Sequence, residues 1–571
     1  MVAMARGAET DALSARLAAA LAAHGDATVM RSKRYGLWQP LTGTEAASRV
    51  DAIARGLRAI GLQDKDAAAI CGDTCADWVL ADLGIMAAGG ISAGLDADAD
   101  GEELVRLVNL FGVTVLFVAG DAHLHRALGV RDRCPKLRQI VVMHEQWDDG
   151  ARVDHVMTLS DLQARGANAA SLPAPVDDAV AAIVPTSGVT APARGALLTQ
   201  AALGRQAARA AGELQLSASD ERLSLAPLHH VMERVVGVYA SLLAGCILNF
   251  PESRETVLAD LRELQPTVVQ ASPRVWARLR SSVELAAAEA TKFQRRIVAM
   301  ALKPGRSDSA NPVLDFLVIN PIRHRLGLSR ARLCVTTGAP VRTDVADWFA
   351  AIRRPLTDIY GHAESAGAVA LAAHRGSAKV LGGASLETLA SGEIRLRSDT
   401  LFVGYAGEAA SAVRDGWWHS GDVAHAGGGG QSHPAGRLAD LLDGGAASLA
   451  SEADLVKSPY VADAFLHRDA KGRVIAVVLM DSDPVVKFAQ DNSIPFTHFL
   501  SLCRSEEIRA LIGRVIADTN TRAPVKIDDF TLIERSLGPG APEVSAMLVL
   551  RRRLLRPDKS SMQESAMSES A

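Results

Sequence analysis

The chain is predicted to adopt an α/β fold: a large N-terminal region of several subdomains with largely parallel sheets flanked by helices, followed by a small C-terminal α+β domain. Two observations predict it. Short apolar runs rich in Val and Ile recur up to residue 272, bounded by Gly or polar segments and separated by helical stretches. That is the pattern of buried parallel strands with crossover helices. A composition shift at residues 424–437 then ends this rhythm.

The elements follow in order. Residues 44–62 place apolar side chains at helical spacing, AAAIC (67–71) reads as a short buried strand, and DWVLADLGIMAAGG as the next helix. VTVLFVAG (113–120), RQIVVM (138–143) and AVAAIV (179–184) are strand-like runs. Residues 200–215 and 282–303 are Ala-rich and helix-like, whereas CILNF (246–250) and PTVVQAS (266–272) read as buried strands. AHAGGGGQSHPAGR (424–437) carries four consecutive glycines and then Pro434, which neither a helix nor a central strand tolerates, so a hinge or hairpin is expected there. Beyond it, residues 465–481 read as strand, turn, strand, and 506–520 as a helix with an apolar face. The expected division is 1–435, 436–556 and a polar, Ser-rich, disordered tail, 557–571.

Composition narrows the function. The 571 residues are 48% hydrophobic and 22% charged, which excludes a disordered chain. Lys and Arg total 61 against 65 Asp and Glu, a net charge of -4, so no global basic field exists to hold nucleic acid. The six cysteines are scattered, which argues against a zinc site or a disulfide framework. The first residues carry acidic groups within their apolar stretch, unlike a secretory signal, and the sequence shows no run of about 18 uncharged apolar residues. No amphipathic basic helix is evident either. The expectation is a cytoplasmic, thiol-reducing setting, with peripheral membrane contact left open.

The stretch Pro185 to Gly195, PTSGVTAPARG, follows the apolar run AVAAIV and precedes a helical stretch. Its Ser, Thr and Gly residues allow backbone N–H groups and hydroxyls to converge on phosphate oxygens, and Arg194 offers a cation. The Walker pattern is absent. The same residues also read as an ordinary polar turn between strand and helix.

TSGVTAPARG resembles the TSGTTGxPKG signature of the adenylate-forming enzymes, the superfamily of acyl-CoA synthetases, luciferases and peptide-synthetase adenylation domains. APLHHVMERV (226–235) is similar to the LPLAHxxER segment of long-chain acyl-CoA synthetases, and PTVVQASPRVWARL (266–279) to their PTxxxxVPRVWEKL. TTGAP (336–340) resembles the GAAP loop, DIYGHAES (358–365) the YGxTE motif, GWWHSGDV (416–423) GWxxTGD, and GRLAD (436–440) the hinge signature GRxKD. The matches keep the family's order along nearly the whole chain.

The resemblance implies an ATP-dependent, AMP-forming ligase that activates a medium- or long-chain fatty acid and transfers it to CoA. It places Thr186, Ser187, Gly188 and Thr190 around the ATP phosphates, with Arg194 at the family's Lys. Gly338, Ala339 and Pro340 would line the adenine, Tyr360 followed by Gly361 would stack on it, and Glu364 would hold Mg²⁺. Asp422, assisted by Arg437, would bind the ribose, and His230 would gate the acyl pocket. The C-terminal domain would rotate about the hinge between the two steps. Read without the resemblance, His230 is a satisfied helix histidine, Glu364 and Asp422 are caps or solvated loop acids, Tyr360 is a core aromatic, and Trp417 and Trp418 are packing residues.

Several positions depart from the family. Val189 and Ala191 add bulk to the phosphate loop, Arg194 changes the geometry of its cation, and Ala439 stands at a Lys of the hinge motif. EVSAMLVLRRRLL (543–555) resembles TPTxKLRRR, which sets Val549 at the Lys that contacts the reacting carboxylate. Lys559 or Arg551 would be its substitutes. Three readings therefore stand: a fatty acyl-CoA ligase, a non-catalytic nucleotide- or acyl-adenylate-binding relative with a regulatory role, and an enzyme that hands its acyl group to a carrier-protein thiol.

Overall fold

The structure, a computed structural model, describes residues 10–144, 154–166, 172–189, 191–302, 312–374, 376–424, 434–442, 445, 447–534, 537, 541, 543–544 and 549–555. The chain divides into two compact units. The first comprises Met1–Ser187, Ala193–Glu387 and Leu396–His419, and the second Gly188–Pro192, Thr388–Arg395 and Ser420–Ala571. The glycines at 427–430 and the tail 557–571 lie outside the described residues.

Two large sheets organise the first unit. In the eight-stranded sheet, Val180–Pro185, Ile91–Leu95, Ala67–Cys71, Val113–Val118, Gln139–Val142 and Val156–Thr158 run parallel in that spatial order. Gly195–Thr199 and Gly404–Tyr405 complete one edge in antiparallel pairing. The nine-stranded sheet has a parallel centre, Leu356–His362, Leu333–Thr337, Val268–Ala271, Glu221–Leu223, Ile247–Phe250 and Thr28–Arg34. Antiparallel strands Gly367–Ala373 with Ala378–Val380, and Leu37–Thr42, close its edges. Every residue of Ala67–Cys71 is buried, as expected for a parallel strand covered on both faces.

One apolar core joins the two sheets. It holds Ile70 and Val115 from one, Leu248, Val335 and Ile359 from the other, and Trp78, Leu80 and Leu83 of the helix Ala76–Ala87 between them. The helix Gly43–Ala59 packs on the same core and starts with a capping box, in which Thr42 Oγ1 accepts the Glu45 N–H and Glu45 accepts the Thr42 N–H.

Charged side chains are buried in this unit, and each is compensated. Asp82 accepts from Arg234 at 2.5 Å, from the Tyr239 hydroxyl at 2.5 Å and from Ser92 at 2.6 Å. Glu233 accepts from Arg222 at 2.6 Å and Ser224 at 2.5 Å. Both networks pin the π-helical segment Met232–Tyr239, because a buried charge without such partners would be prohibitively expensive.

Two sequence expectations change. Residues 282–303 do not form one helix. Pro273–Ala288 ends, and Lys292–Ala301 begins at a capping box between Thr291 and Gln294. The Pro185–Gly195 loop does not lead into a helix but turns back into Gly195–Thr199, which pairs antiparallel with Val180–Pro185. The helix starts only at Gln200, where Thr199 caps it by accepting the Ala202 N–H.

In the second unit Val461–Arg468 pairs antiparallel with Val474–Met480, which in turn runs parallel to Asp529–Leu532. Asp469 accepts the N–H groups of Lys471 and Arg473, both at 2.9 Å, which shapes the turn between the first two strands. The helices Ala447–Leu455, Ser482–Asp491 and Glu506–Arg522 cover this sheet through Leu455, Val485 and Ile512. Glu393–Ser398, Trp417–Ala424 and Pro434–Arg437 belong to a further five-stranded sheet.

Candidate functional site

In the first unit, the two ends of the loop at 185–195 are tied together. The Thr186 N–H donates to the Arg194 carbonyl at 2.8 Å, and the Arg194 N–H donates to Thr186 Oγ1 at 3.0 Å. With its backbone fixed, Arg194 lays its guanidinium 3.7 Å from the centroid of the Tyr405 ring, a cation–π contact. The Tyr405 hydroxyl donates to Glu364 Oε1 at 2.7 Å. Arg194 and Glu364, far apart in sequence, are thus joined through one aromatic side chain.

Glu364 lies in the turn Ala363–Ser365, is 6% exposed and accepts the Phe402 N–H on its backbone carbonyl. It is a buried acid rather than a solvated loop acid. Burial and the neighbouring carboxylate push the Tyr405 phenol far above its usual range, so it stays a donor. Arg194 remains half-exposed at its side chain, with Glu408 3.6 Å away. An exposed cation beside a buried carboxylate suits a polyanion that carries a hard cation. Among the described residues no three His, Cys, Asp or Glu side chains converge on a metal position. A hard cation that keeps most of its waters and shares phosphate oxygens needs only one or two protein carboxylates, and the Glu364 carboxylate is of the type that would suit it.

Tyr360 stands on the strand Leu356–His362, and its hydroxyl lies 3.0 Å from His362 Nε2. His362 meets Trp418 edge-on at 5.1 Å, and Phe402 packs against both Trp418 and Tyr405, so aromatic rings run from Tyr360 to Tyr405. Gly361 is required for packing: a Cβ there would lie 1.9 Å from the Gly367 carbonyl oxygen. Gly338, with φ of +94°, ends the strand Leu333–Thr337, and Gly338 and Pro340 are exposed while Ala339 is half-buried. Asp358 accepts the Val341 N–H just beyond this loop, and burial pushes its carboxyl up to about 7.

His230 lies in the turn before the π-helical segment, not within a helix. Its Nδ1 accepts the Met232 N–H at 3.3 Å, and burial, with His229 alongside, pushes its pKa down to about 3. The imidazole is therefore neutral at physiological pH.

The second unit holds Gly188, Asp422 and Arg437. Asp422, 5% exposed, faces Arg437 directly across the strand register, and the two form an ion pair at 2.8 Å. Gly188 has φ of +65°, Val189 is buried, and Thr190 lies outside the described residues. Val549 is half-buried. Nearby, Arg552 pairs with Glu452 at 2.9 Å.

Sequence reading missed Tyr405, His362 and the Asp82–Arg234–Tyr239 network. The signal for Tyr405 was its rarity, one of five tyrosines in the chain.

Residues 17–405 match the AMP-binding enzyme family, and the chain belongs to that family. It is 24% identical to a long-chain-fatty-acid–CoA ligase of Xenopus laevis over 73% of this chain and 62% of that one, so it spans under two thirds of that relative. It is 27% identical to a long-chain-fatty-acid–CoA ligase of Mycobacterium bovis over 80% of each chain. Two solved structures share its fold at 18% identity. One is an anthranilate CoA ligase in complex with anthranoyl-AMP, with a TM-score of 0.74 and 97% of this chain and 98% of that chain covered. The other is the A domain of a carboxylic acid reductase from Segniliparus rugosus in complex with AMP and a carboxylic acid, with a TM-score of 0.77 and 98% and 94% covered. The α/β architecture is that of the adenylate-forming enzymes.

Among the described residues, no helix is long and apolar enough to cross a membrane. The six cysteines are all free thiols.

Proposed function

We propose that the chain is an ATP-dependent, AMP-forming ligase that activates a medium- or long-chain fatty acid and passes it to CoA in the cytoplasm. The observation that carries this reading is the contact chain Arg194–Tyr405–Glu364, which joins two motifs of the family resemblance at one place in the fold. The names of the relatives support the acyl class.

In the first step the fatty carboxylate attacks the α-phosphorus of ATP and pyrophosphate leaves. In the second, the CoA thiolate attacks the acyl carbon and AMP leaves. Charge builds on oxygens in both, so fixed donors and cations aimed at them contribute most of the stabilisation. Thr186, Ser187, Gly188 and Thr190 wrap the phosphates, and Arg194 neutralises the departing charge. Gly338, Ala339 and Pro340 line the adenine against Tyr360, while Asp422 and Arg437 hold the ribose. Glu364 would hold Mg²⁺, which would supply charge neutralisation on phosphate oxygens. His230, a neutral imidazole, would gate the acyl pocket. The resemblance implies a C-terminal domain over residues 436–556 that would reorient between the steps.

A second reading, a relative that binds nucleotide without efficient turnover, is favoured by one observation. The family resemblance sets Val549 at the reacting Lys, and the neighbouring Arg552 is held by Glu452. Transfer to a carrier-protein thiol in place of CoA is the third.

Pyrophosphate release with ATP, Mg²⁺ and a panel of fatty acids separates them. Fatty-acid-dependent release that collapses in Glu364→Ala supports the ligase. Silence in the parent with activity in Val549→Lys supports the binding protein. Acyl transfer to a phosphopantetheine carrier but not to CoA supports the third.

A further inference from the structure

The helices Lys292–Ala301 and Pro312–Leu326 of the first unit pack against each other and share one apolar core. Ala301, Val318, Ile319, Ile322 and Leu326 face inward. Five large apolar side chains face outward, among them Phe293, 72% exposed, Phe316, 73%, and Leu317, 60%. Isolated exposed apolar residues are ordinary, but two phenylalanines and a leucine on adjoining helices are not.

Charge marks the same region. Phe293 sits among exposed Lys292, Arg295 and Arg296, and Arg325 is exposed at the end of the second helix. Residues 290–326 contain seven Lys and Arg against two Asp, in a chain whose net charge is -4. One of those two acids, Asp315, is already paired with Arg353. The helix KFQRRIVAMA is therefore amphipathic and basic, contrary to the expectation that the chain has no such helix.

We propose that this helix pair is a docking surface for a lipid bilayer containing anionic headgroups. Phe293, Phe316 and Leu317 enter the headgroup–acyl boundary, while Lys292, Arg295, Arg296 and Arg325 lie at headgroup level. Anionic lipid complements the local charge, and the boundary takes up the exposed rings. The proposal rests on these helices alone and is independent of any catalytic reading.

The test is sedimentation of the full-length protein with phosphatidylcholine vesicles, with and without one third phosphatidylglycerol. The parent is expected to bind the anionic vesicles and to be released by high salt. The triple change Lys292→Ala, Arg295→Ala and Arg296→Ala lowers partitioning on the order of 10²-fold. The double change Phe293→Ser and Phe316→Ser lowers it about tenfold. These side chains are exposed, so unchanged melting temperature and gel-filtration volume verify the fold of each variant. No binding by the parent, or equal binding by the triple variant, would overturn the proposal. So would a double variant that changes from oligomer to monomer with vesicle binding unaltered, which assigns the face to a second copy of the chain.

Discussion

Arg194 in the first unit and Arg552 in the second each contact an aromatic ring and a carboxylate, yet their charges are used differently. Arg194 keeps its side chain 49% exposed, stacks 3.7 Å from the Tyr405 ring and lies 3.6 Å from Glu408. An ion pair so exposed and so long is worth little, which leaves the cation available to a ligand. Arg552, 19% exposed at its side chain, pairs with Glu452 at 2.9 Å and approaches Asp440 at 3.8 Å, with Phe465 beneath it. That charge is committed to the fold. An arginine in a family motif is thus a candidate for ligand binding only where the structure leaves its charge unspent.

The sharpest break of this comparison is to remove the partner of a committed charge. Asp82→Ala strands Arg234, which is 0% exposed, and should cost about 3–5 kcal/mol in denaturant unfolding. Glu452→Ala removes the nearer partner of Arg552 but leaves Asp440 at 3.8 Å, so its cost should be smaller. On the available side, Glu364→Ala should cut pyrophosphate release by about 10² to 10³-fold, the cost of losing the carboxylate that would hold a charge-offsetting Mg²⁺, and should lower stability by about 1–3 kcal/mol because the buried Tyr405 hydroxyl loses its acceptor. Tyr405→Phe removes the donor to the Glu364 carboxylate and should reduce release by about ten- to a hundredfold.

A pH effect follows for His230. Its folded pKa, about 3, lies below the ordinary histidine value, so between about pH 6.5 and 3 the unfolded chain binds a proton that the folded chain does not. Stability should fall as pH drops through that window, and His230→Gln should flatten the fall in urea titrations. The smallest effect belongs to Glu408→Ala, which removes a long, exposed pair and should change stability by less than about 1 kcal/mol.

Much of the fold was legible because its signals are local. AAAIC was read as a strand over 67–71, and the strand spans Ala67–Cys71. The helix read over 506–520 spans Glu506–Arg522. Local pattern failed where a short feature overrode composition. GALLT was apolar and stood just before a helix, so its pairing back onto Val180–Pro185 was hidden. The capping box at Thr291 divided an Ala-rich run that looked continuous, and with it hid the basic helix.

The site was legible only in part. Motif order singled out Arg194 and Glu364, but not the Tyr405 side chain that contacts both, and singled out Asp422 without its pairing to Arg437. The Asp422–Arg437 pair depends on a strand register, and the Tyr405 link depends on contacts between remote segments. Neither leaves a periodic trace. The Asp82–Arg234 pair spans 152 residues and was invisible for the same reason.

The most direct test of the account is fatty-acid-dependent pyrophosphate release by the parent chain, measured beside Glu364→Ala and Val549→Lys. The account predicts release that requires both ATP and fatty acid, collapses without the Glu364 carboxylate and rises when a lysine is restored at position 549. Release unaffected by Glu364→Ala, or absence of both release and nucleotide binding from all three proteins, would contradict it.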